Sequence, residues 1–431
     1  MRVSGVVLPV FALPSDYGIG SLGKDAAEFI DFLATANIRV WETMSVCHTD
    51  GSHSPFRALC ARAGNPLLLD LAPFVENGVV TGRELSRMDW GRDRGRVNYS
   101  KVAAAKLAVL ERVYTAADGG TGDPEFARFA AENRDWLEDY GLFAALCEEN
   151  GGMDQWPESL TRRLRPAMDQ ARDRLGGRAR FFQYVQYLFY GQWERLRRHA
   201  AERGVRLMGS IPYDLPESCC ERWQDPAAGE TGGDFLGWWR QRMAQAGGFY
   251  DFTKICRWVG SEELFAFYDA ARPDWPQFGE KLTALRDAVP GALGRAGRDT
   301  RAFQRGFGSQ AALRHRPHWY ERDTVAYVGT CTDEPVRGWL RTLDRQTAQD
   351  VNEYIGTALP RDQAWSVLRC LWMSPAAMVM APVADFLEMG SAARLAGGDD
   401  PAQDWTWRLR RGALNNRLAQ RIARMNRLFE R

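Results

Sequence analysis

The sequence has no long apolar run and no excess of charge of either sign. No hydrophobic stretch approaches the length of a membrane span. Lys and Arg number 56 against 55 Asp and Glu, so no electrostatic feature favours nucleic acid or an anionic membrane as partner. The apolar run at 3–8 is short and ends at Pro9, which excludes a signal peptide at this point. We therefore expect a cytoplasmic protein, and a neutral, hydroxyl-rich ligand such as a sugar fits this balance.

The eight cysteines lack the spacing of a small disulfide-rich domain or of a zinc motif. Scattered cysteines in a large chain are expected to be reduced thiols. The adjacent pair Cys219 and Cys220 is interpreted as structural, because neighbouring cysteines rarely form a disulfide or share a metal. The sequence thus predicts no cofactor and no metal.

Strand and helix patterns alternate at the start of the chain and return after a long helical interval. Predicted strands at 3–8 and 38–44 flank a predicted amphipathic helix at 22–36, an opening typical of a parallel sheet. Further strands are predicted at 205–209, 252–255, 324–328 and 377–382. The pattern predicts an α/β protein with one (β/α)8 TIM-barrel domain over residues 1–431 and an all-helical insertion subdomain at 101–203. In such a barrel the chemistry lies at the C-terminal strand ends.

Several runs of sequence follow one another in the order and spacing of a known family. They read LPSDYGIGSLG at 13–23, GNPLLLDL at 64–71, NRDWLEDY at 133–140 and DWTWRL at 404–409. In these runs the chain resembles the amylomaltases, the 4-α-glucanotransferases of glycoside hydrolase family 77, and the resemblance extends through nearly the whole chain. The resemblance implies a role in α-glucan metabolism. It also implies a retaining mechanism, with a carboxylate nucleophile, a carboxylic general acid and a third, transition-state-stabilising carboxylate.

The run DFTKICRWVG at 251–260 matches, without a gap, the strand that carries the nucleophile in this family. Cys256 stands at the nucleophile position, where the family has an aspartate. Lys254 replaces the arginine that holds that aspartate, and lysine lacks the planar bidentate fork of arginine. The resemblance therefore implies that the nucleophilic carboxylate is missing.

The other two carboxylates are also missing where the resemblance places them. The run GTCTDEP at 329–335 puts Thr332 at the third carboxylate and Cys331 at the preceding histidine. Asp333 is a neighbouring carboxylate, but a shift of one residue along a strand end reverses the side-chain direction. The segment 291–316, where the general acid is expected, contains no glutamate.

Segments that bind substrate in the family differ here as well. DGSHSPFR at 50–57 replaces the family's GYGDSPYQ, GSIP at 209–212 replaces its GDIP, and the long loop expected after Pro226 is replaced by a short connection. The candidate cleft-lining residues are Ser54, Ser210, Lys254, Arg257, Cys331, Asp333 and Trp405. Any glucan is expected to bind weakly, because a cleft without its covering loop encloses less of the ligand.

These substitutions favour a family member without ordinary glucanotransferase activity, which binds an α-glucan, a maltooligosaccharide or a protein partner. The alternatives are an active 4-α-glucanotransferase, or a new activity built on Cys256 with its thiolate stabilised by Lys254 or Arg257. Cys47, Cys256 and Cys331 would converge near the former cleft, where a metal or redox site is a further alternative to simple loss of constraint. The sequence leaves the oligomeric state open.

Overall fold

The computed structural model describes residues 2–209, 215–226, 299–308, 310–322, 324–329 and 332–431. The strands are β1 (Val3–Val7), β2 (Val40–Glu42), β3 (Cys47–Thr49), β4 (Ala58–Gly64), β5 (Arg206–Met208), β6 (Asp299–Ala302), β7 (Thr324–Tyr327) and β8 (Met378–Pro382). Strands β3 and β4 form an antiparallel hairpin. The other six form one sheet in the order β5-β2-β1-β8-β7-β6.

All neighbouring strands of the six-stranded sheet are parallel. The last residue of β1, Val7, is in register with Glu42 of β2 and Pro382 of β8, and Glu42 is in register with Met208 of β5. Parallel pairing in this register brings the C-terminal ends of the strands to one edge of the sheet. The loops that leave this edge are the ones that build the candidate site.

The predicted strands that fall within the described residues are present, whereas β3, β4 and β6 were not predicted. Four predicted strands, at 3–8, 205–209, 324–328 and 377–382, are present to within one residue at each end. The predicted strand at 38–44 is shorter, Val40–Glu42, because Met44 has a φ of 58°, which ends the extended conformation. The predicted strand at 252–255 lies outside the described residues.

Helices follow the strands and cover the sheet. They are α1 (Lys24–Thr35), α2 (Ala72–Glu76), α3 (Gly82–Arg87), α4 (Tyr99–Ala116), α5 (Pro124–Glu132), α6 (Arg134–Asn150), α7 (Glu158–Thr161), α8 (Arg165–Glu202), α9 (Cys220–Gln224), α10 (Val336–Thr342), α11 (Arg345–Ile355), α12 (Pro360–Met373), α13 (Val383–Phe386) and α14 (Asn416–Leu428). Strand residues such as Val6, Val40, Val325 and Val379 are buried, as expected for a parallel sheet that is covered by helices.

The interval predicted to be helical contains α4 to α8. One face of the long helix α8 is buried, including Phe181, Val185, Phe189 and Trp193. The Phe181 ring packs edge-on against Tyr114 of α4, with centroids 5.5 Å apart. This aromatic stripe is therefore part of the helix packing. The boundaries of the insertion, 101–203, stay a prediction.

Helix α14 is anchored to two other helices by one buried side chain, Asn426. Asn426 accepts a hydrogen bond from the Trp372 indole at 2.7 Å and donates to the carbonyl of Ala36 at 2.8 Å. The helix is thereby fixed to both α12 and the end of α1. In the part of the chain that the structure describes, no helix has the length and apolarity to cross a bilayer.

Candidate functional site at the C-terminal strand ends

Loops that follow β2, β7 and β8 meet at the C-terminal edge of the sheet. The Phe56 ring, in the loop after β3, packs edge-on against Trp405, with centroids 5.7 Å apart. Arg394, in the segment after β8, donates from Nε to the carbonyl of Thr332 at 2.9 Å. These contacts bring together three of the segments that the sequence analysis assigned to the cleft, at 50–57, 329–335 and 404–409.

The loop at 50–57 is held in shape by its own polar side chains. The Asp50 carboxylate accepts from the Ser52 amide and from the Arg57 guanidinium, each at 2.9 Å. The Ser54 hydroxyl accepts from the Phe56 amide at 3.3 Å, so this half-buried side chain helps to shape the turn. The His53 imidazole stacks on the Tyr99 ring, with centroids 3.7 Å apart. The loop is thus a compact wall at the edge of the site.

Trp405 belongs to the wall of the site. It is only 6% exposed and has a φ of 58°. The Tyr99 hydroxyl donates to its carbonyl at 2.6 Å, which fixes the strained backbone against helix α4. The ring therefore offers little of its face for stacking against a sugar.

The segment after β7 is fixed by an ion pair. Glu334 Oε1 lies 3.3 Å from Arg394 Nη1, and the Glu334 carbonyl accepts from the Gln304 amide at 2.8 Å. The second carboxylate oxygen of Glu334 is buried and has no hydrogen-bond partner in the structure. Thr332 and Asp333 precede this pair and are half-buried. A carboxylate is thus present near the predicted position, but it is engaged with arginine.

Two carboxyl groups at this edge, Glu42 and Asp385, were not among the predicted site residues. The Tyr327 hydroxyl, at the end of β7, donates to Glu42 Oε2 at 3.1 Å. Burial raises the pKa of the Glu42 carboxyl to about 8, although the hydrogen bond from Tyr327 opposes the shift. The Val336 amide donates to Asp385 at 2.7 Å, and burial raises the pKa of that carboxyl to about 7.

Both carboxyl groups are nearly inaccessible, since Glu42 and Asp385 are each 1% exposed. A protonated carboxyl with a raised pKa is the form that a general acid requires. Neither group has the exposure that direct proton transfer to a bound sugar would need. In the sequence, Glu42 could have been recognised as an acidic residue at the end of a short buried strand, Val40–Glu42.

Cys47 and His48 each have a hydrogen-bonding partner within the protein. Cys47 is buried and its thiol sulfur accepts from the Ser45 hydroxyl at 3.0 Å. The His48 Nδ1 atom is 3.0 Å from the Tyr140 hydroxyl, and burial lowers the pKa of His48 to about 4, which keeps the ring neutral. Within the described ranges no three histidine, cysteine or acidic side chains form a group that could hold a metal ion.

Five of the predicted site residues lie outside the described residues. They are Ser210, Lys254, Cys256, Arg257 and Cys331. The predicted roles of Cys256 and of the Cys47, Cys256 and Cys331 group therefore stay predictions.

The arrangement defines a barrel-type α/β protein whose site lies at the C-terminal strand ends. The structure matches amylomaltase from Streptococcus agalactiae in complex with acarbose with a TM-score of 0.85 and 21% identity, over 100% of both chains. It matches amylomaltase from Corynebacterium glutamicum with a TM-score of 0.64 and 14% identity, over 98% of this chain and 75% of that one. These likenesses confirm the predicted α/β TIM-barrel fold.

The sequence comparisons identify the family. The family model of the 4-α-glucanotransferases, glycoside hydrolase family 77, matches residues 8–235 and 253–415. The 4-α-glucanotransferase of Clostridium butyricum is 25% identical, over 98% of this chain and 99% of its own length. That of Thermus thermophilus is 28% identical, over 100% and 99% respectively. The chain therefore belongs to the 4-α-glucanotransferase family, as the sequence motifs predicted.

Proposed function

We propose that this chain binds α-glucan or maltooligosaccharide at the C-terminal edge of its barrel without ordinary 4-α-glucanotransferase activity. One observation carries the proposal: the run 251–260 resembles the family's nucleophile strand, and this resemblance places Cys256 at the position of the aspartate. A thiol there changes both the charge and the leaving-group chemistry of the covalent step.

The described residues support this reading. Thr332 has a hydroxyl where the resemblance places the third carboxylate. Glu334, two residues on, is paired with Arg394 at 3.3 Å. Glu42 and Asp385 are each 1% exposed. None of these three carboxyl groups, among those the structure describes, combines solvent access with freedom from a fixed partner.

Chain length supports the loss of loops around the cleft. The alignment with the Clostridium butyricum relative extends over 485 positions, whereas this chain has 431 residues. The relative therefore contains segments that have no counterpart here, which agrees with the short connection after Pro226 and with a more open cleft.

A second candidate is an active 4-α-glucanotransferase, which the comparisons by themselves favour. Relatives such as those of Clostridium butyricum and Thermus thermophilus bear that name and match over nearly their whole length. A third candidate is an activity that uses the Cys256 thiolate, stabilised by Lys254 or Arg257. A protein partner at the open rim is a further proposal for an inactive member.

Two measurements on the purified chain test the proposal. Calorimetric titration with acarbose or maltoheptaose should show weak binding, since the open cleft buries little of the ligand. Incubation with maltotriose should give no glucose and no longer chains by chromatography. The Cys256→Ala variant, with Cys370→Ala as matched control, separates the remaining candidates.

The outcomes are distinct. A product ladder that Cys256→Ala abolishes would establish a thiol-dependent activity. A ladder that survives this variant would establish a transferase with other catalytic groups. Absence of any sugar binding would contradict the glucan-binding part of the proposal and leave a protein partner.

A further inference from the structure

We propose a second α-glucan-binding site on the outer surface, formed by His318, Trp319 and Tyr354, which we call the aromatic shelf. Trp319 ends the short helix Pro317–Trp319, in the connection that enters β7 at its N-terminal end. The ligand class rests on the proposed function, because both sites would take an α-1,4-glucan.

Trp319 is unusually exposed for a side chain of its size. Its exposed fraction is 61%, whereas tryptophan is on average a highly buried residue. The backbone on both sides is anchored, because Pro317 and Tyr320 are buried. The Tyr320 hydroxyl donates to the His315 carbonyl at 2.7 Å. The indole is therefore presented to solvent from a fixed position.

One polar aromatic group, His318, stands beside the indole, and a second, Tyr354, contacts His318. The His318 imidazole lies 6.0 Å from the Trp319 ring and 5.6 Å from the Tyr354 ring, centroid to centroid. The His318 Nδ1 atom is 2.8 Å from the Tyr354 hydroxyl, and this contact fixes the orientation of the imidazole. Nε2 is then the ring nitrogen that is left to pair with a ligand hydroxyl. The shelf thus combines an open apolar face with hydrogen-bonding groups held in place.

The shelf rests on a rigid base. The Tyr354 ring packs against Phe307, with centroids 5.5 Å apart, and against Phe303 at 6.1 Å. The Arg316 guanidinium lies over the Phe307 ring at 4.8 Å, and its Nε donates to the Gly306 carbonyl at 2.9 Å. Binding would therefore order few side chains, which lowers the entropy cost of holding a flexible polymer.

A sugar chain fits this surface better than a protein does. The C–H face of a pyranose stacks on an indole, and its hydroxyls pair with imidazole and phenol groups. The nearby surface of α11 is polar: the Gln349 side chain donates a hydrogen bond to Glu353, and the Asn352 side chain accepts one from Gln363. A stable protein interface needs about 800 Å² of each partner with a larger apolar centre. One indole with polar neighbours offers one stacking face, which matches a single sugar unit of a longer polymer.

Native electrophoresis in gels with and without glycogen tests the proposal. Glycogen should retard the wild-type chain, and Trp319→Ala should raise the apparent Kd for glycogen at least roughly five-fold, through loss of ring stacking. His318→Ala should give a smaller effect in the same direction. Leu359→Ala, which alters another exposed apolar side chain, is the matched control and should behave as wild type. Thermal melts confirm that each variant is folded.

Acarbose titration of the same proteins separates the shelf from the cleft. Trp319→Ala should bind acarbose as wild type does. The proposal is overturned if wild type and Trp319→Ala are retarded equally, or if glycogen fails to retard the wild type. It is also overturned if wild type and Trp319→Ala differ in electrophoretic mobility in gels without glycogen, which would indicate a protein contact. Trp319-dependent retardation without acarbose binding would uphold the shelf and contradict the proposed cleft function.

Discussion

Replacing Glu42 by glutamine should remove a pH-dependent loss of stability. Burial raises the pKa of this carboxyl from its ordinary value of 4.5 to about 8. Because the folded pKa lies above the unfolded one, the folded state binds the extra proton between these values. The contribution of Glu42 to stability is therefore complete below about pH 4.5 and is lost progressively as the pH rises through 8.

The magnitude follows from the size of the shift. Each pKa unit corresponds to about 1.4 kcal/mol, so a shift from 4.5 to about 8 gives about 5 kcal/mol between acidic and alkaline pH. Glutamine keeps an oxygen that accepts from the Tyr327 hydroxyl but does not ionise. Glu42→Gln should match wild type at pH 5 and exceed it at pH 9.

Urea unfolding at pH 5, 7 and 9 measures the difference directly. Glu76→Gln, at an exposed site, is the matched control and should show the wild-type pH dependence. Asp385 also titrates in this range, but it is present in every protein compared, so its contribution cancels in the differences. Equal stability of wild type and Glu42→Gln at pH 9 would refute the assignment of Glu42 as a buried, protonated carboxyl.

Two further substitutions test the packing around the barrel. Asn426→Ala should lower the free energy of unfolding by about 2–4 kcal/mol, because it leaves the buried Trp372 indole N–H without an acceptor; urea unfolding measures this, and a loss below about 0.5 kcal/mol would contradict it. Gly64→Ala should cost about 1–3 kcal/mol, because the new methyl group would overlap the Phe189 ring. Gly82→Ala, where nothing lies within 4 Å of the added carbon, is its control in the same assay.

Much of the scaffold was predictable from the sequence, because it depends on local patterns. Apolar runs bounded by turns located β1, β7 and β8, and helical spacing located α1. The site contacts were not predictable in this way. Tyr327 and Glu42 are 285 positions apart, and Arg394 and Glu334 are 60 apart. These pairs form only when the sheet brings distant strand ends to one edge, which no local pattern encodes.

Trp405 shows what a residue type alone leaves open, namely how much of the side chain is accessible. A tryptophan in a family-like run was predicted to line the cleft, and the structure shows a buried ring whose backbone is held by a positive φ and by the hydrogen bond from Tyr99. Trp319 has the opposite character. It lay in a segment without a strong pattern, and only the burial of its neighbours Pro317 and Tyr320 shows that the ring is held outward.

The rate of maltotriose disproportionation tests the central claim most directly. The purified chain and the 4-α-glucanotransferase of Thermus thermophilus should be assayed side by side at equal concentration. Acid–base assistance alone contributes about 10²–10⁴-fold, so the proposed replacement of the catalytic carboxylates predicts a rate at least about 10³-fold below that of the relative. A product ladder formed at a comparable rate would contradict the account and establish the chain as a working transferase.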